Sequence, residues 1–258
     1  MINNYYEIIE SKNPKGVVVI THGIALYSKY YKEFAKAINK SGYHVLLYDV
    51  KGHGRSYGIR GDLDNYEVVV NDLYNIVSFI HNKYELPIYL LGHSMGGLIT
   101  NLYSTFYQNF DGLIILSTPY KFSFFNKLMI KLLRLFKVKD MKTNYHDKNL
   151  SKLEPIDDSD PLLLKSFTFN LVDNLLIKGG NYYLKHYKNN KKPILLIYGD
   201  KDKMASYKTA NKYLDKMPIK DKRLVLIKNA YHNLHHDVET KEVVNTITNW
   251  LNKRTQKE

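Results

Sequence analysis

The stretch Leu90-Leu91-Gly92-His93-Ser94-Met95-Gly96-Gly97 decides the fold, because it joins an apolar run to a helical pattern through a G-x-S-x-G turn. Only glycine fits beside so tight a turn, and the serine between the glycines is held with its hydroxyl exposed. The segment therefore predicts a nucleophile elbow with Ser94 as the nucleophile. The amide of Met95, at the start of the next helix, would then donate a hydrogen bond to a developing oxyanion.

Short apolar runs and longer amphipathic patterns alternate along the chain on both sides of this turn. The apolar runs, each typical of a strand buried on both faces, are residues 17–21, 45–49, 88–91, 113–117, 194–198 and 224–227. The amphipathic patterns, which predict helices, are residues 30–40, 66–84, 95–107, 207–217 and 238–253. The alternation predicts an α/β protein with a mostly parallel central sheet of about 7–8 strands flanked by helices. Residues 5–10 would add an antiparallel edge strand.

The interval 119–188 breaks this alternation. Its pattern is helical and charged, and no strand is evident until the chain passes Pro193. We therefore expect residues 1–118 and 189–258 to form the core of the protein. Residues 119–188 would form a helical cap inserted after the sixth core strand.

Serine needs a base to take its proton and an acid to orient that base, and candidates for both follow the later apolar runs. The sequence GDKDK at 199–203 follows one run, and NAYHNLHHD at 229–237 follows the next. Both loops lie at carboxyl ends of strands, where open α/β sheets place their ligands. The residues alone leave two candidates for the acid and three for the base: Asp200 and Asp202, and His232, His235 and His236.

The chain resembles the monoacylglycerol lipase and lysophospholipase group of α/β-hydrolases. The likeness spans nearly the whole core and rests on these motifs: THG at 21–23, DVKGHGRS at 49–56, GHSMGG at 92–97, GDKD at 199–202 and AYHNLH at 230–235. One departure is Lys51, which stands where the group usually has arginine before Gly-His-Gly.

This resemblance implies the roles of the site residues and the reaction. In the group's pattern the acid is the last residue of G-x-x-D, here Asp202, and the base is the first histidine of Y-H-x-x-H, here His232. The His-Gly motif implies that the amide of Ile24 is a second oxyanion donor beside that of Met95. Ser94 would attack the ester of a single-chain lipid, with no cofactor, and form an acyl-enzyme that water hydrolyses. The alternative is an aminopeptidase-type serine hydrolase of the same fold.

A group of acidic residues in the interval 119–188 bears on that alternative. Its members are Glu154, Asp157, Asp158 and Asp160. They would bind the amine of a peptide substrate if the protein were an aminopeptidase. The prolines at 155 and 161 favour a solvated connector or a helix cap instead.

Residues 124–139 have the pattern of a basic amphipathic helix. On a helical wheel four apolar residues share one face and three basic residues share the other: Phe125, Met129, Leu132 and Phe136, and Lys127, Lys131 and Arg134. Such a helix either packs its apolar face on the core or lies at an anionic membrane surface. Either arrangement places an apolar cover over Ser94, which favours a lipid ester as substrate.

The composition excludes several classes of protein. The chain has no cysteine, which removes disulfides and thiolate metal sites, and neither histidine–carboxylate spacing nor a glycine-rich phosphate loop predicts a metal or nucleotide cofactor. Lys and Arg number 38 against 25 Asp and Glu, but no basic stripe with interleaved aromatic residues predicts nucleic-acid binding. No leader pattern or membrane-spanning apolar run is evident. We expect a cytoplasmic protein, with peripheral membrane contact if the helix at 124–139 lies at an anionic membrane surface.

Overall fold

A computed structural model gives the fold of residues 2–120 and 140–255. Its strands are β1 (Tyr6–Ile9), β2 (Val17–Thr21), β3 (His44–Tyr48), β4 (Ile88–His93), β5 (Gly112–Leu116), β6 (Asp140–Lys142), β7 (Ser166–Thr168), β8 (Ile194–Gly199) and β9 (Lys222–Ile227). Its α-helices are α1 (Lys32–Asn39), α2 (Tyr66–Lys83), α3 (Met95–Phe106), α4 (Phe169–Leu171), α5 (Gly180–His186), α6 (Tyr207–Asp215) and α7 (Thr240–Thr255). A π-helix, Val172–Gly179, joins α4 to α5.

Seven of these strands form one sheet in the order β1-β3-β2-β4-β5-β8-β9. Strand β1 pairs antiparallel with β3, and the remaining neighbours are parallel. Every residue of β2, β3, β4, β5 and β8 is buried, as expected for parallel strands that are covered on both faces. The predicted α/β architecture with a mostly parallel sheet is confirmed.

Side chains of successive strand residues enter two cores, one on each side of the sheet. Val17 and Val19 of β2 belong to the core covered by α2, α3 and α6, whereas Val18 and Ile20 belong to the core covered by α1 and α7. Each helix contributes an apolar face, and in α2 the buried apolar residues recur every three or four positions: Val69, Val70, Leu73, Ile76, Val77 and Ile80. The helices therefore cover both faces, and the carboxyl edge of the sheet is left for functional side chains.

The segment between β5 and β8, residues 119–188, is called the insert below. Five strands, β1 to β5, precede it in the chain. The prediction that it follows a sixth strand is therefore wrong, because the chain before β2 forms one edge strand, β1. The described part of the insert contains the antiparallel pair of β6 and β7 and the helical run from α4 to α5. This strand pair was not predicted, since three residues are too few to show an alternating pattern. The division into core and cap domains stays a prediction.

The turn from β4 into α3 is packed too tightly for side chains at its glycines. A Cβ on Gly96 would overlap with the backbone carbonyl of Thr21 at the end of β2, and a Cβ on Gly92 would overlap with the backbone of Gly96. A backbone neighbour cannot rotate away as a flexible side chain can. These contacts press the start of α3 against the end of β2, which sets Ser94 beside the loop that follows β2.

We expect Gly96→Ala to lower the free energy of unfolding by about 3 kcal/mol, the upper range for overpacking, because the new methyl group meets backbone atoms. Gly180→Ala is the matched control. Apart from its chain neighbours and the backbone of its own helix, no described atom lies within 4 Å of a Cβ at Gly180, which has helical torsion angles, so alanine there should be neutral or stabilise by up to about 1 kcal/mol. Urea unfolding measures both effects, and equal midpoints for the two variants would contradict the packing argument.

Candidate active site

Three loops at the carboxyl edge of the sheet bring together Ser94, Asp202 and His232. Ser94 follows β4, Asp202 follows β8 and His232 follows β9. Ser94 Oγ lies 2.9 Å from His232 Nε2, and His232 Nδ1 lies 3.0 and 3.1 Å from the two carboxylate oxygens of Asp202. A continuous chain of hydrogen bonds therefore leads from a carboxylate through an imidazole to a hydroxyl.

The backbone of Ser94 is strained. Its torsion angles are φ 53° and ψ −115°, which place it in a region that residues with side chains rarely occupy. Strand β5 and the residues after it hold this conformation, since the Ser94 amide donates to the Leu116 carbonyl at 2.9 Å and the Thr118 hydroxyl donates to the Ser94 carbonyl at 3.1 Å. The turn thereby holds Oγ of Ser94 within hydrogen-bonding distance of the imidazole.

The surroundings of Asp202 keep its carboxylate ionised. Its side chain is fully buried, and Oδ1 accepts the amides of Met204 at 2.8 Å and Ala205 at 2.9 Å. Burial alone would raise its pKa, but the hydrogen bond and charge of His232, together with the Ala205 amide, outweigh burial and lower the pKa of Asp202. An ionised carboxylate only accepts, so Nδ1 of His232 carries the proton and Nε2 is left to accept from Ser94.

The geometry separates these residues from the alternatives that the sequence left open. Asp200 is exposed, whereas the hydrogen bonds of His232 go to Asp202. The ring of His235 stacks on Tyr31, with centroids 4.0 Å apart and planes 9° apart. Burial lowers the pKa of His235 well below its ordinary value. Among the histidines of this loop, His232 is the one that contacts both Ser94 and Asp202.

The loop after β2 presents the backbone amide of Ile24. The carbonyl of Gly23 accepts a hydrogen bond from His22 Nδ1 at 2.8 Å. Because the carbonyl and the N–H of one trans peptide point in opposite directions, the Ile24 N–H is turned away from His22. Ile24 and Met95 line the same cavity as Ser94, so both predicted oxyanion donors lie on the side of the nucleophile.

His93 connects the loop after β2, called the oxyanion loop because it carries Ile24, to the loop that carries His232. Its Nε2 lies 3.0 Å from the carbonyl of His232, which only accepts, so Nε2 carries the proton. Nδ1 then accepts from the Tyr31 hydroxyl at 2.7 Å, and that hydroxyl accepts from the Gly23 amide at 2.8 Å. This buried chain fixes the positions of both loops relative to Ser94.

A cavity of about 500 Å³ opens beside Ser94. One side, the apolar wall, consists of four lining residues that pack in one cluster: Met141, Phe167, Val172 and Leu176. Three other lining residues, called the polar side, carry a carboxamide or a carboxylate: Asn144, Asp147 and Asn233. The cavity is therefore amphiphilic, and most of its walls come from the insert.

Asp160 fastens the insert to the loop after β2. Its Oδ2 accepts hydrogen bonds from the Tyr27 hydroxyl at 2.7 Å, the Lys29 ammonium at 2.7 Å and the Tyr30 hydroxyl at 3.2 Å. Burial opposes ionisation of this carboxyl, but Lys29, Tyr27 and the Leu162 amide outweigh it and hold the pKa of Asp160 well below its usual value. Asp160 is therefore already engaged by the core.

The remaining members of the predicted acidic group also lie away from the cavity. Glu154, Asp157 and Asp158 are exposed, and none of them lines the cavity in the part of the chain that the structure describes. Asp157 accepts the amide of Ser159 at 2.9 Å, as expected for a connector turn. The acidic group thus provides no amine-binding site near Ser94.

The insert is also bonded to the loop that carries His232. The amide of Asn233 donates to the Leu150 carbonyl at 2.7 Å, and the hydroxyl of Ser151 donates to the His236 carbonyl at 2.7 Å. The carboxylate of buried Asp237 accepts the amide of Lys152, in the insert, at 3.0 Å and the amide of Tyr231, directly before His232, at 3.2 Å. These hydrogen bonds connect three consecutive residues of the insert to the segments before and after His232.

Four predicted lid residues lie outside the described residues: Phe125, Met129, Leu132 and Phe136. Within residues 2–120 and 140–255, no cluster of three or more histidine and acidic residues could hold a metal ion. The helices of those same ranges include none that is both long and apolar enough to cross a membrane.

Comparison with known proteins identifies the family. The model of the Hydrolase_4 family, described as serine aminopeptidase, S33, matches residues 12–239. The chain belongs to this family. It is 28% identical to a monoglyceride lipase of Rattus norvegicus, over 95% of this chain and 84% of that protein. It is 26% identical to a monoacylglycerol lipase of Mycolicibacterium smegmatis, over 93% of this chain and 89% of that protein.

Solved structures show the same fold. The crystal structure of Paleococcus ferrophilus monoacylglycerol lipase has a TM-score of 0.81 at 24% identity, and the match covers 97% of this chain and 98% of that one. A soluble variant of monoglyceride lipase from Saccharomyces cerevisiae, in complex with a substrate analog, has a TM-score of 0.82 at 22% identity, over 98% and 92%. The predicted resemblance to α/β-hydrolases of the monoacylglycerol lipase group is confirmed, and this member of the Hydrolase_4 family is an enzyme of the serine hydrolase class.

Sequence reasoning missed three residues that shape the site. Tyr31 lies inside a helical pattern with no motif around it, so nothing in the sequence marks its contact with His93. Asp160 was noted as part of an acidic group, but its hydrogen-bond partners, such as Tyr30, are about 130 positions away in the chain, and no local pattern indicates them. Asn233 did carry a signal, since it is a polar residue directly after the proposed base.

The histidines around the site should leave a single ionisation on the acid side of the pH profile. Burial lowers the pKa of His22 to about 4 and those of His53 and His93 to about 3, so these rings stay neutral above about pH 5. With a substrate that does not ionise, we expect the acid side of the log kcat/KM profile above about pH 5 to have a limiting slope no steeper than one, because these three rings add no second protonation. A limiting slope of two would show that a second histidine of the cluster titrates with the reaction.

Proposed function

We propose that this chain hydrolyses monoacylglycerols and similar esters of single-chain lipids through an acyl-enzyme. The observation that carries the proposal is the hydrogen-bonded set of Ser94, His232 and Asp202 on a cavity with an apolar wall. The relatives named monoglyceride or monoacylglycerol lipase support it over most of the chain. No cofactor enters the reaction.

The mechanism follows from the hydrogen bonds. Ser94 Oγ attacks the ester carbonyl while Nε2 of His232 takes its proton, and Asp202 stabilises the imidazolium through Nδ1–H. The amides of Ile24 and Met95 donate to the oxygen of the tetrahedral intermediate. Collapse of the intermediate breaks the bond to the alcohol oxygen, which takes the proton from Nε2. Water then repeats the sequence on the acyl-enzyme and releases the fatty acid.

The shape and lining of the cavity favour an acyl chain. Each methylene that leaves water for the apolar wall contributes roughly 0.8 kcal/mol. A cavity of about 500 Å³ is within the usual range for small-molecule sites and fits a single chain. These features favour lipid monoesters over peptides.

The aminopeptidase alternative shares the family's printed description but has less support. A peptide with a free amino end needs an anion near Ser94, and the acidic group that the sequence offered for this purpose does not line the cavity. Asp160, its most buried member, is bound to Lys29 and two tyrosines. Among the described lining residues the one carboxylate is that of Asp147, whose Oδ1 already accepts from the backbone amide and the side chain of Asn149. The lipid ester therefore remains the proposed substrate.

Replacement of the nucleophile tests the proposal. We expect Ser94→Ala to lower kcat/KM for a monoacylglycerol by roughly 10⁴ to 10⁶, because the acyl-enzyme cannot form, without changing the thermal unfolding of the protein. Ser159→Ala, an exposed serine of the insert, is the control and should retain the wild-type rate. A Ser94→Ala sample that keeps more than a tenth of the activity would refute the assignment. Wild-type protein that cleaves aminoacyl amides faster than lipid esters would favour the rival function.

We also propose that the insert contacts anionic membranes through residues 124–139. The support is the sequence pattern alone: three cations, Lys127, Lys131 and Arg134, share the helical face opposite the apolar residues. Basic residues near an anionic bilayer contribute about 1 kcal/mol each to binding.

A charge reversal measures this contact. We expect the triple change of Lys127, Lys131 and Arg134 to Glu to abolish co-sedimentation with vesicles that contain anionic lipid, because attraction becomes repulsion. The control makes the same change at three exposed lysines of α6 and just after it, Lys208, Lys212 and Lys216, which gives the same net charge. Equal loss in both variants would assign the binding to net charge and not to the insert.

A further inference from the structure

Asn233 lies between the base and the insert, and its backbone is fixed on both sides. Its amide donates to the Leu150 carbonyl at 2.7 Å, and its carbonyl accepts from the His236 amide at 2.7 Å. The residue is 6% exposed and lines the cavity beside Ser94 and His232. Its side chain therefore lies at the cavity and is largely shielded from bulk solvent.

Among the residues that the structure describes, the side-chain amide of Asn233 has no hydrogen-bond partner, and its atoms are not sealed from solvent but open to the cavity. An amide that faces a cavity exchanges hydrogen bonds with water for those of a ligand that offers donors and acceptors in the same place. The amide has two donors and one acceptor, whereas a hydroxyl both donates and accepts. A ligand that carries hydroxyl groups would satisfy this side chain.

On the polar side of the cavity, the turn that carries Asp147 lies against Asn233. Leu150, which binds the Asn233 amide, also donates its own amide to the Asp147 carbonyl at 2.9 Å, so the turn 147–150 lies against Asn233. Asp147 and Asn144 line the cavity with it, while the apolar wall is formed by the separate cluster around Val172. The two parts therefore suit different halves of a substrate.

The chemistry of ester cleavage determines which half faces which part. The carbonyl oxygen must meet the amides of Ile24 and Met95, and the alcohol oxygen must meet Nε2 of His232 to take its proton. The alcohol is therefore placed next to His232, on the side of Asn233. The acyl chain is left for the apolar wall.

We propose that the side-chain amide of Asn233 binds a hydroxyl group of the departing alcohol and so selects esters of polyhydroxy alcohols, such as glycerol, over esters of simple alkyl alcohols. This inference rests on the proposed ester hydrolysis and names the residue that determines the alcohol. An alkyl alcohol would displace water from this amide without replacing its hydrogen bonds, and sites built around such groups discriminate against analogues that lack the partner.

The experiment compares the glyceryl and propyl esters of one fatty acid. The two alcohols have the same three carbons, but the propyl ester lacks the two free hydroxyl groups of the glyceryl ester. The measured quantity is the ratio of kcat/KM for glyceryl over propyl ester. We expect Asn233→Leu, which keeps a similar volume, to lower this ratio about tenfold relative to wild type. Asn233→Ala should lower it less, because water fills the vacated space. Asn245→Leu, an exposed residue of α7, is the matched control and should leave the ratio unchanged.

The outcomes separate this inference from the proposed function. If wild-type protein cleaves neither ester, the proposed function fails. If it cleaves both and the ratio in Asn233→Leu and Asn233→Ala stays within twofold of wild type, ester hydrolysis stands and the role of Asn233 is overturned. Thermal unfolding of each variant shows whether it is folded, and the alanine variant carries the test if the leucine variant is not.

Discussion

One hydrogen bond, between Ser94 Oγ and His232 Nε2, joins segments that are 138 residues apart in the chain, and the rest of the site depends on it. It can form because β4, β8 and β9 run parallel, so that their carboxyl ends open on one edge of the sheet. Strand β5, which lies between β4 and β8, holds both neighbours: the Leu116 carbonyl accepts the Ser94 amide, and the Ser117 amide donates to β8. The sheet therefore sets the distance that the reaction needs before any loop is considered.

Burial of the neighbouring histidines makes this distance stable against changes in pH. His93 connects the oxyanion loop to His232 only while its ring is neutral, because a second ring proton would remove the acceptor for Tyr31. Its burial lowers its pKa to about 3, so the connection persists over the range in which a catalytic imidazole must change its own charge. Two neighbouring imidazoles thus have different roles: His93 is a buried, neutral connector, whereas His232 contacts Ser94. Their solvent access and hydrogen-bond partners determine this difference.

The parts of the site that the sequence predicts are those determined by local geometry. The turn at Ser94 requires glycines at fixed offsets, so its motif is visible in the letters alone. The alternation of apolar runs indicates a parallel sheet that would bring the candidate acids and bases to the same edge, and the family resemblance selected Asp202 and His232 among them. The contacts of Tyr31 and Asp160 depend on where an inserted segment settles on the core, and no local pattern encodes that. The pair of β6 and β7 was missed for the related reason that its strands are too short to show a period.

Besides lining the cavity next to Ser94, the insert shares hydrogen bonds with the loop that carries His232. Its residues 150–152 bind the backbone of Asn233 and His236 and the carboxylate of Asp237, and that carboxylate also accepts the amide of Tyr231, directly before His232. A displacement of this part of the insert would remove partners from both flanks of the imidazole. The position of residues 150–152 and the alignment of His232 are therefore coupled, because the same hydrogen bonds hold both.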